Sequence, residues 1–422
     1  MSPRKERAIL VGLLRRDGPR VDPERALDEL AGLAEAAGAE VIGRVVQERP
    51  APDPATFLGA GKVAALATRC AALGADLVLV DNELTPAQLR NLEQRLGIKV
   101  VDRTQLILDI FARRARTREG QLQVELAQLR YLLPRLVGSG QALSRLGGGI
   151  GTRGPGETKL ETDRRRIRRR LATLARALEE IRRRRSRLRR RRARAEAPVV
   201  SLVGYTNAGK TTLFNALTGE AARVSDALFV TLDPLVRRLR LGEGATVLLT
   251  DTVGFIDRLP HSLVAAFRAT LEEIVDADLL LHVVDAAHPE RQRHIRTVEE
   301  VLAEIGASSV PRLVVFNKCD LLDDGARARL EAAEPEASVV SALRGQGCEA
   351  LRDRIAAVLG FEAARVSVLL DDSARARATL AAIYRHGRVL RHSAAGGRVR
   401  IEAEVPRRLA ERLPGARPTA HA

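Results

Sequence analysis

Along the first hundred residues, short apolar runs alternate with segments in which apolar positions recur every three or four residues. The runs are AILVGLL, VIGRVV, DLVLV and KVV, and between them lie the helical patterns around RALDELAGLAEAAG, KVAALATRCAAL and PAQLRNLEQRL. Strands separated by helices of about ten residues predict an α/β domain with a substantially parallel sheet over residues 1–115. From Gln121 the period is purely helical: Leu122, Leu126, Leu129, Leu133 and Leu136 follow at intervals of four and three, and Ile167, Leu171, Leu174, Leu178 and Ile181 repeat them. Neither helix can bury its stripe alone, so the two predict an antiparallel two-helix arm over 116–196. Its second helix is expected from about Leu160 to Arg194, roughly 50 Å at ~1.5 Å per residue, with 138–156 as the tip loop. Buried-strand runs and helices then predict a domain over 197–360 with a mostly parallel sheet flanked by helices. Residues 361–422, with ARVSVLL and RVRIEAEVP around a helix carrying Ala376, Leu380 and Ile383, predict a small α/β or α+β domain.

Composition adds a partner. The 422 residues are 45% hydrophobic and 29% charged, enough for several cores, and Lys plus Arg exceeds Asp plus Glu by 70 to 53, a net charge of +17. Much of the excess lies on the second arm helix, in the Arg runs 164–166, 168–170, 182–185 and 189–192. Intrahelical pairs with Glu161, Glu179 and Glu180 are worth only ~0.2–1 kcal/mol each, so neutralisation must come from ions or a polyanion. The tip holds eight glycines in nineteen positions, with Arg145 and Arg153 among them. Backbone amides bared at Gly147, Gly148, Gly149, Gly151, Gly154 and Gly156, flanked by Arg and by Lys159, suit close approach to phosphates and an irregular RNA surface. Three Tyr, eight Phe and no Trp argue against a base-stacking platform. Cys70, Cys319 and Cys348 are too scattered for a disulfide framework or a CxxC metal site, and no run approaches the ~20 apolar residues needed to span a bilayer. These features predict a cytoplasmic protein with no membrane span.

The chemistry is concentrated in a second set of motifs. VVSLVGYTNAGKTTLFNAL is a strand run, then Gly204-x-x-x-x-Gly209-Lys210-Thr211, then a helix: the context of a phosphate-binding loop. Amides from Asn207 through Ala208 to Thr211 can cradle phosphates, Lys210 can reach the β- and γ-phosphates, and the Thr211 hydroxyl can ligate Mg²⁺. Tyr205, Thr206 and Thr212 complete the loop. VLLTDTVGF ends a strand at Asp251, a magnesium contact through water, and continues through Thr252 and Val253 to Gly254, whose amide can sense the γ-phosphate. RLVVFNKCD supplies Asn317, Lys318 and Asp320, where a carboxylate can accept both edge donors of guanine, so GTP is the expected nucleotide. Ser341, Ala342 and Leu343 can close over the base. In LFVTLDP, Phe229 and Val230 lead to Thr231, a second magnesium hydroxyl, with Ser225 as a competitor. Lys210, Thr231 and Gly254 form the expected catalytic set. Phe255 follows Gly254 where a water-orienting residue often sits, which implies slow intrinsic turnover. Gly59-Ala60-Gly61-Lys62 lacks the full phosphate-loop spacing and reads as a turn before a helix. His282 reads as a strand histidine with its partners satisfied, His261 as a surface or structural residue, and no zinc spacing is present.

These blocks resemble the HflX-family GTPases. The resemblance rests on GAGKVAAL at 59–66, DNELTPAQLRNLE at 81–93, VDRTQLILDIFARRARTREGQLQVELAQLRYLLPRL at 101–136, LSRLGGGIGTRGPGETKLETDRRRIRRR at 143–170 and the nucleotide motifs, and it covers residues 1 to about 360. It implies a Mg²⁺-dependent GTPase, monomeric on the ribosome, that binds the large subunit and its rRNA. The tip, with Arg153 at its apex, would be carried toward the peptidyl transferase centre to split stalled ribosomes after stress. Arg164, Arg165 and Arg166 would contact RNA, and ATP hydrolysis is implied as a second activity. Two positions depart from the family pattern: Thr211 replaces a common Ser and keeps the hydroxyl, whereas Leu235 replaces a common Thr after LDP. A GTPase assisting large-subunit assembly shares every one of these motifs, and a non-enzymatic RNA-binding protein would share the arm.

Overall fold

The structure, a computed structural model, describes residues 4–15, 25–136, 155–193, 197–220, 228–229, 231–241, 245–257, 271, 273–361, 363–371, 373–395, 398–411, 413 and 417–418. Three sheets organise the described residues. In the first, β1 (Arg7–Arg15), β2 (Glu40–Arg49), β3 (Leu77–Val80) and β4 (Lys99–Asp102) lie in the order β2-β1-β3-β4, all parallel. The crossovers are α1 (Asp28–Ala36), α2 (Ala60–Leu73) and α3 (Pro86–Leu96). β3 is buried at all four residues because helices cover both faces. Gly59 is the N-cap of α2, so the GAGK stretch is a helix start, and Thr85 closes a capping box on α3 beside Pro86.

From β4 the chain enters α4 (Arg103–Arg114) and α5 (Arg118–Arg135), the first arm helix. Its buried residues extend beyond the leucine stripe. Val124, Ala127 and Tyr131 enter the core; of the stripe, Leu126 is buried to the same degree as Tyr131, while Leu122, Leu129 and Leu133 are half-buried. The helix has two partners, the body on one side and the second arm helix on the other, and leucine spacing marked only the second. That second helix, Pro155–Ala193, spans 39 residues, about 58 Å. It starts five residues before the expected Leu160 because proline is tolerated in a first turn, where its missing N–H costs no helical bond. Arg170 clamps Glu125 with two bonds of 2.7 and 2.8 Å, in keeping with antiparallel pairing. Arg145, Gly147, Gly148, Gly149, Gly151, Arg153 and Gly154 lie outside the described residues, as do Ser225, Val230 and His261. Gly156 and Lys159 fall within the long helix.

The second sheet runs β10-β9-β8-β5-β7-β6, with β5 Val199–Gly204, β6 Leu235–Arg240, β7 Thr246–Asp251, β8 Leu279–Asp285, β9 Arg312–Asn317 and β10 Ser338–Val339. Only the edge strand β6 is antiparallel. One face packs on Leu213, Phe214 and Leu217 of the helix Lys210–Thr218. The other face joins the first domain in a single apolar cluster that includes Leu30, Ile107, Phe111, Val124, Tyr131, Val203, Phe229, Val253 and Phe255. The third sheet, β12-β13-β11-β14, is antiparallel: β11 Ala363–Leu370, β12 Arg388–Ala395, β13 Arg398–Pro406 and β14 Arg417–Pro418. With helices Ala374–His386 and Arg407–Ala410 it follows the split βαβ, ferredoxin-like order, and Ala376 and Ile383 enter its own core. The three cysteines are free and buried, and no helix among the described residues is long and apolar enough to cross a membrane.

His282 corrects the sequence reading. It is buried at the centre of the parallel sheet, and neither ring nitrogen has a hydrogen-bond partner. Burial, helped by Arg312 and Lys210, pushes its pKa down to about 3. The folded chain therefore stays neutral there while the unfolded chain takes up a proton below ~6.5. Stability from this group is full above that pH and is lost as pH falls toward about 3, by at most ~1.4 kcal/mol per pH unit. Replacing His282 with Leu should flatten the acid limb of a melting-temperature profile between pH 6.5 and 4.

Candidate nucleotide site

The site lies where β5, β7 and β9 end. Gly204 leaves β5, and the loop reaches the helix Lys210–Thr218 through Asn207 and Gly209, both with positive φ (59° and 87°). Gly209 has a second constraint, since a Cβ there would sit 2.2 Å from Asn317 Nδ2. Lys210 folds back into the loop it closes. Its Nζ donates to the carbonyls of Gly204 (3.1 Å) and Tyr205 (2.9 Å), and burial pulls its pKa down to about 8 against the opposing charge of Asp251.

Three oxygens converge beside it. Thr211 Oγ1 lies 2.8 Å from Thr231 Oγ1 and donates to Asp251 Oδ2 at 2.8 Å, and Thr231 Oγ1 donates to the same atom at 3.1 Å. Asp251 Oδ1 is buried without a hydrogen-bond partner, and burial raises the carboxyl's pKa, with Lys210 the largest opposing influence. Two hydroxyls and a carboxylate with an unmatched acceptor are a hard-oxygen set that fits Mg²⁺. No cluster of three or more His, Cys, Asp or Glu side chains suited to a metal occurs among the described residues. Gly254 follows Asp251 at a point of close approach, where a Cβ would lie 2.8 Å from Thr206 Cα and 3.0 Å from Lys210 Nζ. Thr252 turns away and donates to Leu202 O, and Val253 is buried. Phe255 is tied by its backbone to the phosphate loop, with N–H to Gly204 O at 3.1 Å and carbonyl to Thr206 N at 2.6 Å. Its ring is 1% exposed within the core, so it presents no polar group to the site.

On the opposite side, Asn317 joins two loops: Nδ2 donates to Ala208 O at 3.0 Å and Oδ1 accepts from Ala342 N at 2.9 Å. Lys318, at φ 64°, pairs with Asp285 at 2.7 Å. Ser341 Oγ donates to Asp320 Oδ1 at 2.5 Å, fixing the carboxylate, and Leu343 stands 79% exposed beside it. Thr212 is half-buried on the first turn of the helix.

Several groups around this site have no motif of their own. The Tyr205 ring leaves the loop, stacks on His294 (3.7 Å between centroids, 6° between planes) and donates its hydroxyl to Glu29 of α1 while accepting from Asp257 N at 2.8 Å. Burial, reinforced by Glu29, drives the phenol's pKa far upward, so it stays a donor. Arg103 of α4, 4% exposed, holds Glu29, Asp81 at 2.8 Å and the carbonyl of Asp257 at 2.8 Å. Phe229 likewise sends its ring away from the site, edge-on to Phe111 at 4.7 Å. The sequence places Tyr205 in the phosphate loop and Phe229 in the segment before Thr231, an expectation of nucleotide contacts. Their side chains pack instead on the first domain, while the Tyr205 carbonyl accepts from Lys210 and the Phe229 N–H donates to Thr206. A single sequence carries no signal for such partners, because Glu29 and Tyr205 are 176 residues apart.

Three family models match in succession: a GTP-binding GTPase N-terminal region over residues 24–112, a GTP-binding GTPase middle region over 114–192 and a 50S ribosome-binding GTPase over 199–318. Among curated relatives, GTPase HflX of Caldanaerobacter subterraneus subsp. tengcongensis is 56% identical over 319 residues, 76% of this chain and 74% of the relative. GTPase HflX of Escherichia coli K12 is 48% identical over 82% of this chain and 81% of its own length. That of Gluconacetobacter diazotrophicus is 40% identical over 91% of each chain. Among solved structures, a GTP-binding protein of Sulfolobus solfataricus in complex with GDP aligns over 84% of this chain and 98% of its own at 27% identity, with a TM-score of 0.43. With a phosphate loop, a hydroxyl–carboxylate cluster and an Asn-Lys-x-Asp corner on one sheet end, and with such identities over most of its length, the chain belongs to the HflX family of GTPases.

Proposed function

We propose that this GTPase binds the large ribosomal subunit in its GTP state, carries the tip of the arm toward the peptidyl transferase centre and splits stalled or idle ribosomes. The observation that carries the reading is the arm itself: a 39-residue helix rich in arginine, braced on a second helix that is rooted in the core behind the nucleotide site. The 50S ribosome-binding description of the matching family model supports the same partner. Arg165 and Arg166 are exposed on the helix, and Arg164 is half-buried. They contact rRNA phosphates in this reading, and Lys159 with the glycines and Arg153 of the tip approach the RNA backbone. The protein acts as a monomer in the cytoplasm, and ATP hydrolysis is a second activity the family resemblance supports.

In the nucleotide site, amides from Asn207 to Thr211 cradle the α- and β-phosphates and Lys210 stabilises charge on the β- and γ-phosphates. Thr211, Thr231 and, through water, Asp251 would hold Mg²⁺, which neutralises phosphate charge when bound. The Gly254 amide meets the γ-phosphate, Asp320 reads guanine, and Ser341 to Leu343 close over the base. Phe255 offers no group to orient water. Isolated protein should therefore hydrolyse GTP slowly, and large subunits should accelerate it more than an equal mass of unstructured RNA. Sedimentation of intact ribosomes with the protein and a nonhydrolysable GTP analogue tests the whole reading. Dissociation into subunits supports splitting, whereas binding confined to immature large subunits would replace it with a role in assembly.

A further inference from the structure

We propose that the N-terminus of α5 is the docking point of the Thr231 segment, which makes Asp233, Thr117 and Gly120 positioning residues for GTP hydrolysis. The inference rests on the GTPase assignment and on Thr231 as a metal-side hydroxyl. Two residues beyond Thr231, the Asp233 carboxylate sits on the turn that opens the arm. Its Oδ2 accepts from the backbone N–H of Arg116 at 2.8 Å and of Thr117 at 3.0 Å, and its Oδ1 accepts from the Thr117 hydroxyl. An ionised acceptor at the positive end of a helix makes the stronger class of hydrogen bond. Thr117 is also the N-cap of α5, with Oγ1 accepting from Gly120 N at 3.0 Å, so one hydroxyl serves the helix and the dock. Gly120 leaves the room required. A Cβ there would lie 2.5 Å from Asp233 Oδ1.

The segment is held on the other side of Thr231 as well. Phe229 adopts the left-handed φ of 58°, a conformation that costs a non-glycine residue energy and persists where packing fixes it. Its ring is fixed by Phe111 of α4, its N–H donates to Thr206 Oγ1 at 3.3 Å, and the neighbouring Leu228 packs over Gly32 of α1. Between these two anchors, which rest on α1, α4 and α5 and, through Thr206, on the phosphate loop, Thr231 is delivered to Thr211 and Asp251. The base of the arm and the metal-side hydroxyl thus share one anchor. By linkage, whatever fixes Thr231 favours the docked arm, and whatever draws on the arm's base acts back on Thr231.

Gly120→Ala separates docking from scaffolding, because alanine favours a helix over glycine and should not lower the melting temperature through α5. In the full-length chain, its single-turnover GTP hydrolysis should fall about tenfold, with affinity for a fluorescent GDP analogue unchanged within twofold. Asp233→Ala should reproduce the split and Thr117→Ser should retain wild-type turnover. Amide exchange of peptides covering 116–120 and 228–233 should slow together when a GTP analogue binds the parent chain, and independently in Gly120→Ala. Wild-type or faster turnover in both Gly120→Ala and Asp233→Ala, at parental melting temperature, would overturn the proposal. A parent chain inert toward GTP would instead overturn the GTPase assignment on which it stands.

Discussion

A Lys210→Ala chain should keep its fold and lose GTP hydrolysis by about two to three orders of magnitude, ~3–4 kcal/mol of transition-state stabilisation. Lys210 is buried, and its ammonium donates to two carbonyls of the loop it closes, at 3.1 and 2.9 Å. Burial holds its pKa down to about 8, so the charge is poorly solvated until phosphate oxygens reach it. A desolvated cation interacts with developing phosphate charge far more strongly than a hydrated one. The fold should survive because the loop is also held by Asn317 and by the Phe255 backbone. Single-turnover hydrolysis beside a thermal melt decides the matter: turnover within tenfold of the parent, at unchanged melting temperature, would remove Lys210 from the catalytic set.

Asp320→Asn should weaken GTP binding by about one to two decades, the ~1.5–3 kcal/mol of a charge-assisted pair, and leave the phosphate cradle alone. The carboxylate is oriented by Ser341 Oγ at 2.5 Å, so the substitution changes what the base meets without freeing the loop. An amide also presents an N–H₂ donor in place of an acceptor. Xanthosine triphosphate, which carries a carbonyl where guanine has its exocyclic amine, should therefore gain affinity for the variant as GTP loses it. Direct titration with GTP, xanthosine triphosphate and ATP checks this, and unchanged GTP affinity would rule out Asp320 as the base contact.

The elements and motifs that depend on local spacing were legible in the sequence. The alternation of runs over the first hundred residues became the parallel sheet β2-β1-β3-β4, and the phosphate loop, Asp251 and Asn317 arrived at strand ends as their runs implied. Thr231 could be placed in its interval, and the structure brings it to Thr211 with Ser225 outside the described residues. What could not be read was anything set by pairs distant in sequence. The leucine stripe of α5 is visible because its partner helix repeats the interval. The face of Val124, Ala127 and Tyr131, which joins the shared core, has a partner surface assembled from several elements and no shared period. Asp233 looked like part of a motif, yet its partners Arg116 and Thr117 lie 117 and 116 residues away. β12 escaped notice because RVLRHSAA pairs along one side only and lacks a full apolar alternation.

The apolar cluster that runs from Leu30 through Phe111 to Phe255 has no seam at the chain boundary between the first two sheets. Its evolutionary consequence is a restriction on recombination. A gene segment encoding only the nucleotide half would expose Phe229, Leu232, Val253, Phe255 and Ile256 together, each worth about 1.5–3 kcal/mol when buried. A crossover between two lineages at residue 197 would join surfaces that had drifted apart in shape. Recombination should therefore preserve the first two sheets only when it moves them together. The ferredoxin-like module, whose core among the described residues runs from Val366 to Leu413, should be exchangeable without uncovering theirs.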